Sequence, residues 1–103
     1  MSTENKPPYI KVLEVLKKND PKFAESLART IKDADGEFLD KKTKILVKFA
    51  LASVLKQTEG VKIHAQEARD IGATNEEIME VARLVFLSSG IPGLYSAINA
   101  FEN

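Results

Sequence analysis

The fold is decided by the apolar stretch ILVKFALASVL, which occupies residues 45–55. In a helix drawn through these residues, apolar side chains lie on nearly every side, and only Lys48 and Ser53 interrupt them. A helix that is apolar all round has to be buried all round. Because a chain of 103 residues offers few other helices to cover it, we expect a central helix that a second subunit covers in part.

Two shorter helices are predicted ahead of this stretch. The first follows a pair of prolines and carries apolar residues at helical spacing. Asp20 is a natural N-cap for the second helix, which ends near Gly36, and Asp40 is the N-cap expected for the central helix. The polar residues 1–6 are predicted to form a flexible tail, and residues 7–103 are predicted to form a single domain.

Three further helices are predicted after the central one. Gly60 is expected to break the central helix, and a fourth helix then runs to Gly72. The sequence TNEE at residues 74–77 is a capping box that begins a fifth helix, which ends at Gly90, and Pro92 begins a short sixth helix. No alternating β-pattern appears, so the predicted fold class is all-α with about six helices.

Composition excludes several classes of function. The chain has no cysteine, which removes disulfides and thiolate chemistry and is consistent with a cytoplasmic protein. Its 15 basic and 15 acidic side chains balance, so no overall field favours nucleic acid or an anionic membrane. No apolar stretch is expected to be long enough to cross a bilayer. The part up to Thr58 is net basic and the rest is net acidic, which suits either a contact between subunits or an ordinary solvated surface.

Chemistry-bearing residues are few. No metal site and no cofactor are predicted, because one histidine without a ligand spacing gives too few donors. Glu76, Glu77 and Glu80 are explained by the capping box and the helix dipole. His64, beside the small Ala65 and Ala68, is compatible with a packed imidazole bonded to a carbonyl. The alternative is a general acid or a proton shuttle, because histidine exchanges protons near neutral pH.

Three stretches resemble a known family. They are residues 39–46 (LDKKTKIL), residues 61–68 (VKIHAQEA) and residues 71–78 (IGATNEEI), and the corner Gly90-Ile91-Pro92 follows them. Together they resemble the carboxymuconolactone decarboxylase and alkyl-hydroperoxidase-D-like family over about residues 39–98. This resemblance implies a compact helical domain and a homo-oligomer, most simply a hexamer built as a trimer of dimers.

The peroxidase branch of that family uses a Cys-x-x-Cys pair ahead of the histidine and a glutamate one long helix earlier. Here the cysteine positions hold Gln57 and Gly60, and the glutamate position holds Ile45. Of that proton-relay set only His64 is present. Neither glutamine nor glycine forms a mixed disulfide, so thiol peroxidase activity is not expected, although family-level labels often name it.

The decarboxylase branch lacks those cysteines and keeps the histidine. On this point the chain resembles the decarboxylase branch more closely than the peroxidase branch. Its members remove carbon dioxide from carboxymuconolactone without a cofactor. The resemblance implies that His64 is the catalytic proton donor, with Lys48 or Gln57 binding the substrate and stabilising developing charge. The decarboxylases carry an arginine shortly before the leucine-aspartate start, where this chain has Gly36-Glu37-Phe38. The identity of the substrate is therefore not predicted.

Three functions are compatible with these observations. The first is a cofactor-free lyase acting on a small carboxylate or lactone, and the second is a non-catalytic or partner-binding homo-oligomer of the same fold. The third is a peroxide-handling enzyme, which the missing cysteine pair opposes. We expect His64 to line a small pocket at or near a subunit interface.

Overall fold

A computed structural model describes residues 8–102 of the chain. In this part every regular element is helical, which confirms the all-α class. The elements are α1 (Pro8–Asn19), α2 (Pro21–Ala34), α3 (Lys41–Val54), α4 (Thr58–Asp70), α5 (Asn75–Ala97) and a terminal 3₁₀ helix (Ile98–Phe101). The predicted flexible tail, residues 1–6, lies outside the described residues.

The chain divides into two compact units, of which the first ends at Leu39. In it α1 packs against α2, with half-buried leucine and isoleucine side chains at positions 13, 16, 27 and 31. Asp20 caps α2 as predicted, because its Oδ1 accepts a hydrogen bond from the Phe23 amide at 3.2 Å. Ala24 is buried here, whereas Val15 and Phe23 are about half exposed.

The second unit begins at Asp40 and contains the main core. The central helix α3 packs against both α4 and α5, as its apolar sequence requires. Phe49, Val61 and Ile78, one from each of these helices, are fully buried. The buried Ser53 hydroxyl is satisfied within α3, because it donates to the Phe49 carbonyl at 2.9 Å.

Capping hydrogen bonds stabilise the starts of α3 and α5, and an ion pair connects these two starts. Asp40 caps α3 as predicted, with its Oδ1 2.7 Å from the Thr43 amide, and the capping box of Thr74 and Glu77 is present at the start of α5. The Lys42 ammonium reaches Glu77 at 2.9 Å and joins the starts of α3 and α5. The N-terminal caps read from the sequence are therefore confirmed.

The break between α3 and α4 lies earlier than predicted. It falls at Leu55, Lys56 and Gln57, where Lys56 takes a left-handed φ of 59°. Gly60, expected to break the central helix, instead lies buried within the first turn of α4. The other end of α4 is as predicted, since Gly72 adopts a positive φ of 102° just after the helix.

The predicted six α-helices are five in the structure. Gly90 leaves the helical conformation, with φ 69° and ψ −161°, yet α5 resumes at once and continues through Pro92 to Ala97. The fifth and sixth predicted helices are thus two arms of one kinked element. Arg69 holds the end of the chain against this unit, because its guanidinium donates to the Asn75 side chain and to the Ala100 carbonyl, each at 2.9 Å.

Much apolar surface stays exposed on the second unit. Several large apolar side chains of α5 are exposed. Four of them, spaced three or four residues apart on the two sides of the Gly90 kink, are called the α5 stripe here: Leu84, Leu87, Ile91 and Tyr95. By length and composition the segment Asn75–Phe101 meets the requirement for crossing a bilayer, so the expectation that no stretch is long enough was wrong. Core helices meet the same requirement, and 28% of the apolar window is buried.

Candidate active site

His64 lies in the middle of α4, on the side of the helix that packs into the second unit. Val61 precedes it by three residues and Ala68 follows it by four, and both are fully buried. The His64 side chain retains 14% of its exposure. The imidazole therefore borders the core and keeps limited access to solvent.

The partner of His64 is Glu67, one turn further along α4. Its Oε1 lies 2.7 Å from His64 Nδ1, and the Glu67 side chain is 35% exposed. Residues three apart on a helix are neighbours, so a short link between them needs no help from another element. The carboxylate therefore restrains the imidazole ring through Nδ1.

Gln57 is the N-cap residue of α4, two turns before His64 and exposed. Seven residues of helix correspond to a rise of about 10 Å, so Gln57 and His64 are well separated along the axis of α4. A Cβ built on Gly60 would lie 3.5 Å from Gln57 Oε1 and 3.4 Å from the Ala52 Cβ. Positions 57 and 60, where the resembling peroxidases carry cysteines, are thus adjacent in space.

Lys48 lies on α3, where it is exposed between core residues of the same helix. Ile45, at the position of the peroxidase glutamate, is 7% exposed and belongs to the core. Among the described residues, His64 pairs with Glu67 rather than with Lys48 or Gln57. The structure thus places Gln57 at the start of α4, His64 in the middle of α4 and Lys48 on the neighbouring helix α3.

The sequence reasoning missed Glu67. The signal that could have identified Glu67 was its position three residues after the histidine on a predicted helix, because side chains at this spacing are neighbours. The glutamates that were weighed instead, at positions 76, 77 and 80, begin α5. In the part of the chain that the structure describes, no three histidine, aspartate or glutamate side chains are grouped to hold a metal ion.

Sequence comparisons identify relatives of this chain. The chain is 36% identical over 89 residues to the uncharacterized protein MJ1511 of Methanocaldococcus jannaschii, covering 85% of this chain and 83% of that protein. It is also 36% identical over 70 residues to the uncharacterized protein MJ0742 of the same organism, covering 65% of each chain. No solved structure matches the chain at a significant level.

The model of the carboxymuconolactone decarboxylase family matches residues 21–103, which includes α2 to the terminal 3₁₀ helix and both positions of the His64–Glu67 pair. This match extends further toward the N-terminus than the resemblance over residues 39–98. The chain belongs to the carboxymuconolactone decarboxylase family.

Proposed function

We propose that the protein is a cofactor-free lyase that decarboxylates a small carboxylated lactone or a related carboxylate. The observation that carries the proposal is the restrained, mostly buried His64 in a chain of this family. A histidine held by a carboxylate and bordering an apolar core suits proton transfer better than a freely rotating surface side chain.

The chemistry needs one proton donor and stabilisation of negative charge. When the bond to the carboxylate breaks, carbon dioxide leaves and the electron pair stays behind as a dienolate. His64 then delivers a proton to the dienolate, and the bond that was broken is replaced by a bond to hydrogen. Lys48 and Gln57 supply a cation and an amide that stabilise the dienolate before protonation.

A substrate panel tests this proposal. The untagged wild-type protein is incubated with carboxymuconolactone and with related lactones carrying one or two carboxylates, and released carbon dioxide is measured. Release above the buffer rate, unchanged after treatment with a chelator, is the expected result. We expect singly carboxylated lactones to react best, because the sequence lacks the arginine that the resembling decarboxylases carry shortly before the leucine-aspartate start. An inert protein across the whole panel would contradict the proposal.

A second candidate function is a non-catalytic homo-oligomer that binds a partner. The exposed α5 stripe favours it, since Leu87 is 77% exposed and Tyr95 is 72% exposed. Apolar surface of this kind usually marks an interface. We propose that the protein forms a homo-oligomer in either case, most simply a trimer of dimers, and that a neighbouring subunit completes the pocket beside His64. We also propose that the protein is located in the cytoplasm.

A further inference from the structure

We propose that Glu67 is a positioning residue that fixes His64 in the tautomer protonated on Nδ1, so that Nε2 is the nitrogen that exchanges protons with the substrate. The proposal rests on the lyase function for its catalytic meaning, but the tautomer itself is a property of the resting protein. The tautomer is inferred from the distance of 2.7 Å between His64 Nδ1 and Glu67 Oε1.

The donor in this contact follows from the chemistry of the two groups. An ionised carboxylate only accepts hydrogen bonds, whereas a neutral imidazole has one N–H and one bare nitrogen. A bond of this length between Nδ1 and Oε1 therefore requires the hydrogen to be on Nδ1. In the neutral ring Nε2 then carries the lone pair.

The same geometry governs the protonated ring. Imidazolium carries hydrogen on both nitrogens, and the one on Nδ1 stays with Glu67. The hydrogen on Nε2 is the one transferred to the dienolate carbon, where a C–H bond forms as the Nε2–H bond breaks. The ring returns to the neutral Nδ1–H tautomer, and the hydrogen on Nδ1 stays in the bond to Glu67 throughout. This division of roles matches that of an orienting carboxylate in a catalytic triad.

The chain offers an unusually clean test, because His64 is its single histidine. Untagged protein labelled with ¹⁵N in histidine gives one pair of imidazole nitrogen signals, whose chemical shifts distinguish a protonated from a bare nitrogen. At a pH where the ring is neutral, the expected wild-type spectrum has a protonated Nδ1 and a bare Nε2. Glu67→Gln is expected to make the Nε2–H tautomer the main form or to mix the two.

Two further variants control for folding and for charge. Glu67→Asp keeps the charge but shortens the side chain by one methylene, and it is expected to give an intermediate population. Asp70→Asn removes a carboxylate from the same helix, one that accepts from Gln66 rather than from His64, and it is expected to leave the spectrum as in the wild type. A wild-type ring protonated mainly on Nε2, or a spectrum that Glu67→Gln leaves unchanged, would overturn the proposal.

Carbon dioxide release separates this inference from the lyase proposal. If both hold, Glu67→Gln lowers the release rate by about 10- to 100-fold, while Asp70→Asn leaves it unchanged. If no variant and no wild-type protein releases carbon dioxide, the lyase proposal fails and the nitrogen spectra still decide the tautomer. If Glu67→Gln releases carbon dioxide at the wild-type rate, Glu67 does not position His64 for catalysis, even if the nitrogen spectra show the proposed tautomer.

Discussion

Glu77 uses its two carboxylate oxygens for two different purposes. Oε1 accepts from the Thr74 amide at 2.9 Å, which closes the capping box of α5. Oε2 lies 2.9 Å from the Lys42 ammonium at the start of α3. The Thr74 amide and then Lys42 lower the pKa of Glu77 from its ordinary value of 4.5. At Asp40 the Thr43 hydroxyl and amide likewise lower the carboxyl pKa from 3.8.

These lowered pKa values predict how the free energy of unfolding depends on pH. A carboxyl group with a lower pKa in the folded state stabilises the fold fully above its unfolded value, and this contribution disappears as the pH falls through the folded value. Stability is therefore expected to decline as the pH falls from about 5 to about 3. Thermal melts across this range measure the decline.

Glu77→Gln keeps a side chain that a capping box accepts but removes the charge paired with Lys42. We expect the variant to lose stability near neutral pH and to show a weaker decline in acid. The matched control is Glu80→Gln, which removes an exposed carboxylate one turn further along α5 and should keep the wild-type profile. If Glu77→Gln also follows the wild-type profile, the bonds to Thr74 and Lys42 do not lower the pKa of Glu77.

At the level of helices, the caps were predictable, whereas the end of α3 and the break expected at Gly90 were not. Asp20, Asp40 and Thr74 stand where side chains accept from helix amides, a preference that belongs to the residue type itself. The end of α3 was misplaced because glycine normally takes the left-handed conformation, whereas here Lys56 does so. A Cβ on Gly60 would lie 3.4 Å from the Ala52 Cβ on α3, which is an ordinary van der Waals contact, so packing does not require glycine there.

The Gly90–Gly93 corner makes a prediction about packing. A Cβ added to Gly93 would overlap the Ser89 hydroxyl and lie 2.9 Å from Val85 Cγ1, while Val85 is 3% exposed. The Ser89 hydroxyl can rotate away only by giving up its bond to the Val85 carbonyl. Gly93→Ala is therefore expected to lower the free energy of unfolding by about 1–3 kcal/mol.

The free energy of unfolding is measured with a denaturant for Gly93→Ala and for the control variant Gly36→Ala. Nothing lies within 4 Å of a Cβ on Gly36, so the control should change stability by no more than about 0.5 kcal/mol. Equal stability of Gly93→Ala and the wild type would show that the second arm of α5 does not pack closely against the first.

For the molecule as a whole, the unexplained feature is its exposed apolar surface. On α3 the side chains of Val47, Leu51 and Val54 are also between 43% and 56% exposed. The sequence predicted that the central helix is too apolar for one chain to cover, and the exposed residues agree with that reasoning. In the proposed homo-oligomer a neighbouring subunit would cover them, and a pattern along one chain does not specify contacts between subunits.

Light scattering behind a sizing column measures the assembly. We expect a mass several times that of the 11.4 kDa chain, and six times for a trimer of dimers. Leu87→Glu places a charge in the α5 stripe and should reduce the mass, because a buried unpaired charge opposes association. Lys62→Glu, an exposed change on α4, is the control and should keep the wild-type mass. A monomeric wild-type protein at micromolar concentration would contradict the proposal of a homo-oligomer.

The central claim is that His64 donates the proton in a decarboxylation, and one comparison tests it most directly. Carbon dioxide release is measured for the wild type and for His64→Gln on the best lactone of the panel, with the melting temperature of each protein recorded. Glutamine keeps the ability to form hydrogen bonds but is not an acid near neutral pH. We predict a loss of about 100-fold or more in the rate with an unchanged melting temperature. An equal rate in the two proteins, or a rate that falls only as the melting temperature falls, would contradict the claim and assign His64 to structure.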